Sequence, residues 1–471
     1  MNSPQTCPTR RHRVALSLTC TFSAVGVLGL GSASGQLQLS LQLTPTPVLA
    51  LTGPTNVPAQ IQWSPAANAA NTSWFHLAHR FPGSGPVTDT NSPGERTRFY
   101  RAVQVPNTNM VLISGGSFVM GDTFNDGPSS ERPTHSASVA GFYLDQCELK
   151  LDDWESIRQW ALTNGYNFDN PGTAKSVGHP VHSVNWHDAL KWCNARSERE
   201  GRIPAYYTTA DQTTVFRTGR LDLSNDCVNW AVNGYRLPTE AEWERAARAA
   251  TNGLRFPLGN TLSHSDANYF AATYLAYDTT GVNDFHPSYA TGSPPFTSPC
   301  GSFAANRFGL FDLTGNLAEW CWDGYAENAY DQPDATAPNP RGPDFALTNR
   351  VVRGGSWFND ASFARNAGRS SAPQTTANDT TGFRIAMTAP TTSGQPVYPA
   401  RLTESQRIVG VGIRFTVSNL TPGKSLMVED STNLTQWQAI WTNVPAVAAV
   451  NFTSAPAATL APRYFRARQQ P

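Results

Sequence analysis

The sequence predicts an α+β central domain with little regular secondary structure, set between two small β-sandwich-like modules. Three observations lead there. Glycine (36) and proline (35) are abundant among 471 residues, which suits a chain of many turns. The middle of the chain mixes short β-branched runs with stretches of helical spacing. Both ends carry short β-type runs broken by Asn, Pro, Gly and Ser clusters.

The two ends follow one pattern. The first runs through Ile61-Gln62-Trp63-Ser64 and Trp74-Phe75-His76-Leu77 and closes on Arg98-Phe99-Tyr100-Arg101-Ala102-Val103-Gln104. The second runs through Leu426-Met427-Val428-Glu429 and Trp437-Gln438-Ala439-Ile440 and closes on Arg463-Tyr464-Phe465-Arg466-Ala467-Arg468-Gln469. The shared Arg-aromatic-aromatic-Arg-Ala-x-Gln strand alternates apolar and basic side chains between its faces. The modules are similar to β appendages of exported bacterial proteins, where they serve as spacers or as surface and carbohydrate contacts. The chain thus divides into an N-terminal signal segment (1–35), an N-terminal β module with a low-complexity lead-in (36–105), a central domain (108–388), a linker (389–407) and a C-terminal β module (408–471).

The signal segment has a basic start (Arg10, Arg11, Arg13), an apolar run from Val14 to Leu30 and a small-x-small site at Ala33-Ser34-Gly35. Export to the periplasm, the medium or the cell surface is expected, with a single membrane anchor as the alternative. No later segment is apolar and long enough to span a bilayer. Lys plus Arg equals Asp plus Glu at 35 each, and no basic run follows the first fifteen residues. No nucleic-acid partner is therefore expected. Beyond the signal stand five cysteines, Cys147, Cys193, Cys227, Cys300 and Cys321, without a C-x-x-C pair. An odd count outside the cytoplasm predicts one or two disulfides and at least one free thiol, with the pairing open.

In the central domain, Met110 to Gly121 has two β-branched runs flanking Ser-Gly-Gly, which predicts a hairpin. Val139 to Leu144 predicts a strand. Asp152 to Thr163 predicts a helix capped by Asp152, and Val184 to Ser197 a second helix capped by Asn185. In Gly234-Tyr235-Arg236-Leu237-Pro238-Thr239-Glu240-Ala241-Glu242-Trp243-Glu244, Pro238 ends a strand and Thr239 with Glu242 forms a capping box. His179, His182, His187 and Asp188 lie close in sequence and are read as structural. Neither a phosphate loop, a nucleophile elbow nor an H-E-x-x-H motif occurs.

That motif is followed by Gly309-Leu310-Phe311-Asp312-Leu313-Thr314-Gly315-Asn316-Leu317-Ala318-Glu319-Trp320, by Arg353-Gly354-Gly355-Ser356-Trp357 and by Gly382-Phe383-Arg384. Ser114 to Gly121 and His179 to Trp186 precede it. Together these segments resemble, in order, the motif set of the sulfatase-modifying-factor family, the fold of the formylglycine-generating enzymes. The resemblance implies a C-type-lectin-like fold. It also implies structural calcium. Asp312 and Glu319 would supply carboxylates and Gly315 and Leu317 carbonyls at one site, with Asn268 and Tyr269 at a second. Calcium accepts such mixed hard-oxygen sets.

The family's oxidases hold copper(I) through two cysteines after the Gly-Gly-Ser-aromatic motif, a soft pair for a soft ion. Asn359 and Ala364 stand at those positions, so copper and a catalytic residue are both expected to be absent. Trp357, Asn359, Arg365 and Arg369 are the residues expected to line the remaining groove and meet a polar ligand, a peptide or a glycan. The expected function is an exported binding or scaffold module. The alternatives are a formylglycine-generating oxidase acting on sulfatase cysteines, or another enzyme using the same groove.

Overall fold

The computed structural model describes residues 47–52, 58–65, 74–90, 99–105, 107, 109–343 and 348–389. For 38–43 and for six strands beyond residue 400 it describes backbone and pairing only. The expected signal segment and residues 390–400 lie outside the described residues, whereas residues 401–407, expected as part of the linker, belong to the strand Arg401–Ile408 that opens the C-terminal module.

Among the described residues, each end holds six strands. At the N-terminus they are β1 (Gln38–Leu43), β2 (Pro47–Thr52), β3 (Ala59–Ser64), β4 (Phe75–Arg80), β5 (Val87–Thr88) and β6 (Phe99–Gln104). They pair as two three-stranded sheets, β1-β2-β5 and β4-β3-β6. The six C-terminal strands, Arg401–Ile408, Gly412–Ser418, Leu426–Ser431, Gln438–Asn443, Ala449–Thr453 and Tyr464–Gln469, pair in the same order, first-second-fifth and fourth-third-sixth. Ile61 faces Ala102 and Val428 faces Ala467, and a register shift follows each of these third-strand residues.

The N-terminal module is docked on the central domain. Gln60 Oε1 accepts from Leu112 N (2.8 Å), and Gln62 Nε2 donates to Leu112 O (3.0 Å). Phe75 stacks on Phe308, and the Arg307 guanidinium lies 3.9 Å from the Phe75 ring. Leu112 belongs to β7 (Met110–Ile113), an edge strand of the sheet β11-β16-β10-β7, where β10 is Phe142–Asp145, β11 is Tyr235–Arg236 and β16 is Ala386–Thr388. The two glutamines cover an edge that would otherwise expose unpaired backbone.

The expected hairpin at Met110 to Gly121 does not form. β7 pairs with β10, whereas β8 (Gly116–Met120) pairs with β9 (His135–Val139). Gly115-Gly116 turns the chain from one sheet to the next; a Cβ on Gly115 would stand 2.7 Å from Gly141 N. The expected strand at Val139 to Leu144 is likewise split, because β9 ends at Val139 and β10 begins at Phe142.

Helix α1 (Leu151–Leu162) starts after Lys150 with no side-chain cap, so Asp152 sits in its first turn and does not cap it. Trp154, Ile157 and Ala161 are its buried face. Helix α2 (Trp186–Arg199) is capped by Asn185 in a reciprocal box with Asp188. The main core gathers Trp154, Trp186, Trp192, Trp320 and Trp322 between these helices and the sheets. A second sheet, ordered β14-β13-β12-β15, comprises β12 (Ala318–Gly324), β13 (Asn349–Arg353), β14 (Arg369–Pro373) and β15 (Thr381–Gly382). All seven residues of β12 are buried. No helix among the described residues is long and apolar enough to cross a membrane.

Candidate functional site

Helix α3 (Glu240–Arg248) positions the site. Glu242 N donates to Thr239 Oγ1 (3.2 Å), and Thr239 N donates to Glu242 Oε2 (2.9 Å), the expected capping box. All nine residues of α3 are buried, charged ones included. Each acid has a guanidinium partner. Arg236 pairs with Glu242 at 2.7 Å, Arg369 with Glu240 at 2.6 Å, and Arg248 and Arg353 both with Glu244. From the middle of the helix, Trp243 Nε1 donates to Glu319 Oε2 (2.8 Å).

Glu319 follows the loop expected to hold calcium. Three residues of that loop adopt the left-handed region: Asp312 (φ 54°), Gly315 (φ 74°) and Asn316 (φ 62°). A Cβ on Gly315 would stand 2.2 Å from Asn268 O, so only glycine fits there. Asn316 N donates to Asn268 O (2.8 Å), which brings the two expected calcium segments into contact. The Tyr269 carbonyl lies 3.1 Å from the His264 ring, and its hydroxyl donates to Asp278.

The carboxylates do not all face one point. Both oxygens of Glu319 are engaged by Arg384, at 2.7 and 2.6 Å, and Trp243 adds a further donor. The expected ligand role of Glu319 is therefore corrected to a buried ion pair. Asp312 behaves differently. Its Oδ2 accepts from Gly301 N (2.6 Å), while its Oδ1 is buried without a hydrogen-bond partner. Glu148, which no motif had singled out, reaches the same loop and accepts from Leu317 N (3.1 Å) and Asn316 Nδ2 (3.2 Å).

Burial pushes the Asp312 carboxyl up to about 6 and raises Glu148 further above its ordinary value, with the charges of Asp312 and Glu319 adding to the latter. Three buried carboxyls thus share Arg384. That excess of carboxyl groups over cationic partners and the bare Asp312 oxygen suit either a retained proton or a hard divalent cation. Among the described residues no three His, Cys, Asp or Glu side chains form a metal-ligand set. An ion here would lean on backbone carbonyls, for which Gly315 and Leu317 remain the loop's candidates.

The adjoining loop carries the positions of the family's copper cysteines. Trp357 N donates to Asn316 O (2.8 Å), and Gly315 N donates to Gly354 O (2.8 Å), so the two loops are tied together. Asn359 Oδ1 accepts from Ser356 N (3.1 Å) and Ser356 Oγ (2.7 Å). Ala364 is buried in a small apolar cluster with Phe256, Leu262, Tyr269 and Ala361. These residues do not fit copper(I): an amide and a methyl group offer no soft ligand.

The expected groove arginines are also corrected. Arg365 is buried in a two-pronged pair with Glu131 (2.7 and 2.8 Å), and Arg369 is buried against Glu240. Neither faces a ligand, because a desolvated guanidinium is held by its carboxylate. Trp357 is buried as well, its Nε1 donating to Asp379 O. What this loop and the neighbouring segment of Tyr274 expose is aromatic. Phe358 is 59% exposed, Phe363 43% and Tyr274 73%, and the Tyr274 hydroxyl bonds Asp360. Phe285 packs between Trp357 and Phe358 (5.7 and 6.3 Å) beneath this ridge.

The histidines expected to be structural are separate. His179 Nδ1 meets Thr297 Oγ1 (2.9 Å) and His182 Nδ1 meets Ser183 Oγ (3.0 Å). Burial pushes His187 down to about 4, with neither ring nitrogen hydrogen-bonded. A cleft of about 270 Å³ opens at the N-terminus of α3, lined by Met120, His135, Glu240, Asp323 and Tyr330. Asp323 Oδ2 accepts from Glu240 N (2.7 Å) there, and burial pushes its carboxyl up to about 8.

Residues 95–389 match the sulfatase-modifying factor enzyme 1-like domain. The chain is 38% identical over 308 residues to the formylglycine-generating enzyme of Thermomonospora curvata, covering 59% of this chain and 92% of that one. It is 28% identical over 261 residues to a protein of Paenibacillus barcinonensis named chaperone protein LppX, covering 54% of this chain and 80% of that one. It is 30% identical over 293 residues to the serine/threonine-protein kinase pkn1 of Chlamydia pneumoniae, covering 59% of this chain but only 38% of the kinase's length. Among solved structures, Treponema denticola variable protein 1 is 24% identical with a TM-score of 0.45, covering 62% of this chain and 96% of that one. The chain belongs to the sulfatase-modifying factor family.

Proposed function

We propose that this protein is an exported, copper-independent member of its family that acts as a binding module. One observation carries the reading: an amide committed to Ser356 and a buried methyl group stand where the family's oxidases place thiols. The exposed ridge of Phe358, Phe363 and Tyr274 beside Asn359 supports contact with a peptide or glycan, since aromatic rings supply area at small entropic cost. Relatives of the same domain carry names as different as formylglycine-generating enzyme and chaperone protein, in keeping with one scaffold serving several roles. The basic and apolar signal segment supports export. A structural calcium ion at the Asp312 loop is part of the proposal, where it would offset the buried carboxyls and take no part in chemistry.

The test is incubation of the purified protein with copper(I), oxygen and a C-x-P-x-R peptide. The peptide cysteine is expected to survive unchanged. An aldehyde product would overturn the copper-independent reading and restore the oxidase alternative.

A further inference from the structure

The five cysteines in the described residues are all free thiols in the structure, so neither of the expected disulfides is formed there; Cys193, Cys227 and Cys321 are buried, and Cys147 and Cys300 are partly exposed. Those two lie on segments that touch. Cys300 Sγ donates to the carbonyl of Glu148, the residue after Cys147, at 3.6 Å. A Cβ on Gly301, the residue after Cys300, would stand 3.8 Å from Cys147 Sγ. The neighbouring backbone is anchored on both sides: Phe311 N donates to Gln146 O (2.8 Å), and Cys300 N to Gly178 O (3.0 Å). The other cysteines have different surroundings. Cys227 Sγ meets Ser224 Oγ, Cys193 lies in the main core, and Cys321 lies in the core around Trp243.

We propose that Cys147 and Cys300 form a disulfide in the mature protein, leaving Cys193, Cys227 and Cys321 as buried thiols. The oxidant is a disulfide, either a small-molecule disulfide or that of a thiol oxidoreductase. The Cys147 thiolate attacks one sulfur of it, forming a mixed disulfide and expelling one thiolate. The Cys300 thiolate then attacks the Cys147 sulfur, closing the protein S–S bond and expelling the second thiolate. The two protons released by the cysteines end on the two thiols of the reduced oxidant.

In the folded protein both thiols are disfavoured as thiolates. Burial pushes Cys147 up to about 12, and Cys300 is raised further by burial and by the charges of Glu148 and Asp312. Closure therefore belongs to oxidative folding, before these groups are enclosed. The bond ties the segment that carries Glu148 to the segment whose Gly301 N holds Asp312. It closes a loop of about 150 residues, long enough for a marked gain in stability.

The test uses the full chain, refolded with mixed oxidised and reduced glutathione, alkylated without reduction, digested and mapped by mass spectrometry. The expected product is a peptide pair joined through Cys147 and Cys300, with alkylated Cys193, Cys227 and Cys321. Alkylation of both Cys147 and Cys300, or either one joined to another cysteine, would overturn the assignment. Reduction of the wild type is expected to lower its melting temperature by at least about 5 °C, and to leave the Cys147→Ser/Cys300→Ser variant unmoved. If that variant does not fold, the peptide map of the wild type decides alone.

Discussion

Two buried clusters of charge meet at Trp243 and are balanced in opposite ways. Around α3, Glu240, Glu242 and Glu244 are matched by Arg236, Arg248, Arg353 and Arg369, and the Arg353 guanidinium lies 5.1 Å from the Trp243 ring. On the other side, Trp243 Nε1 bonds Glu319, and there Glu148, Asp312 and Glu319 share Arg384. In the first cluster four guanidinium groups cover three carboxylates, and the pairs act as a strut between the helix and the second sheet. The second is short of positive charge, and an acid oxygen is left bare. The contrast teaches where this scaffold is complete and where it calls for an ion or a proton.

Breaking the balanced cluster should have the largest effect. Arg353→Ala leaves Glu244 buried with one partner fewer, and a loss of about 3–5 kcal/mol is expected in urea unfolding. A loss under about 1 kcal/mol would mean the network is looser than its burial implies.

Asp323, at the edge of that cluster, provides a pH test. Its folded value of about 8 lies above its ordinary 3.8, so the folded state holds the proton more tightly than the unfolded chain. Its contribution is fully present below about pH 4 and is lost as pH rises towards 8. Between pH 5 and 7.5 the wild type should lose roughly 1–3 kcal/mol more than Asp323→Asn, read by denaturation at both pH values. Equal slopes would place Asp323 in contact with water.

The unbalanced cluster is sharpened by calcium. At about a hundredfold excess over its dissociation constant, a bound ion adds about 2.7 kcal/mol, so chelation should lower the melting temperature by about 5 °C. Asp312→Asn should abolish that difference, whereas Asn268→Ala should only reduce it. Melting that ignores both chelator and calcium would remove the ion from the proposal. The smallest effect is expected at the helix cap. Thr239→Ala takes away the acceptor for Glu242 N and should cost about 1 kcal/mol, with Arg236–Glu242 still formed.

The motif around α3 was legible because it is local. Thr239 and Glu242 are three residues apart, and their bonds need only the first turn of the helix. The family match was legible for the same reason, motif by motif. The hairpin at Met110 to Gly121 was misread because Ser-Gly-Gly signals a turn without saying which strands the flanking runs will meet. Arg365 and Arg369 were misread because sequence shows a guanidinium but not its partner. Glu131 is 234 residues from Arg365, and Glu240 is 129 from Arg369.

By itself the sequence determined the family, the paired pattern of the end modules and the absence of thiols at positions 359 and 364, because each is a matter of residue type and order. Only the tertiary structure decided that Glu319 belongs to Arg384, that Glu148 joins the loop of Asp312, that two glutamines seal the edge at Leu112, and that the segments of Cys147 and Cys300 meet. The reason is the same each time. A buried polar group must find its partner wherever the fold brings one, and chain distance does not constrain where that is.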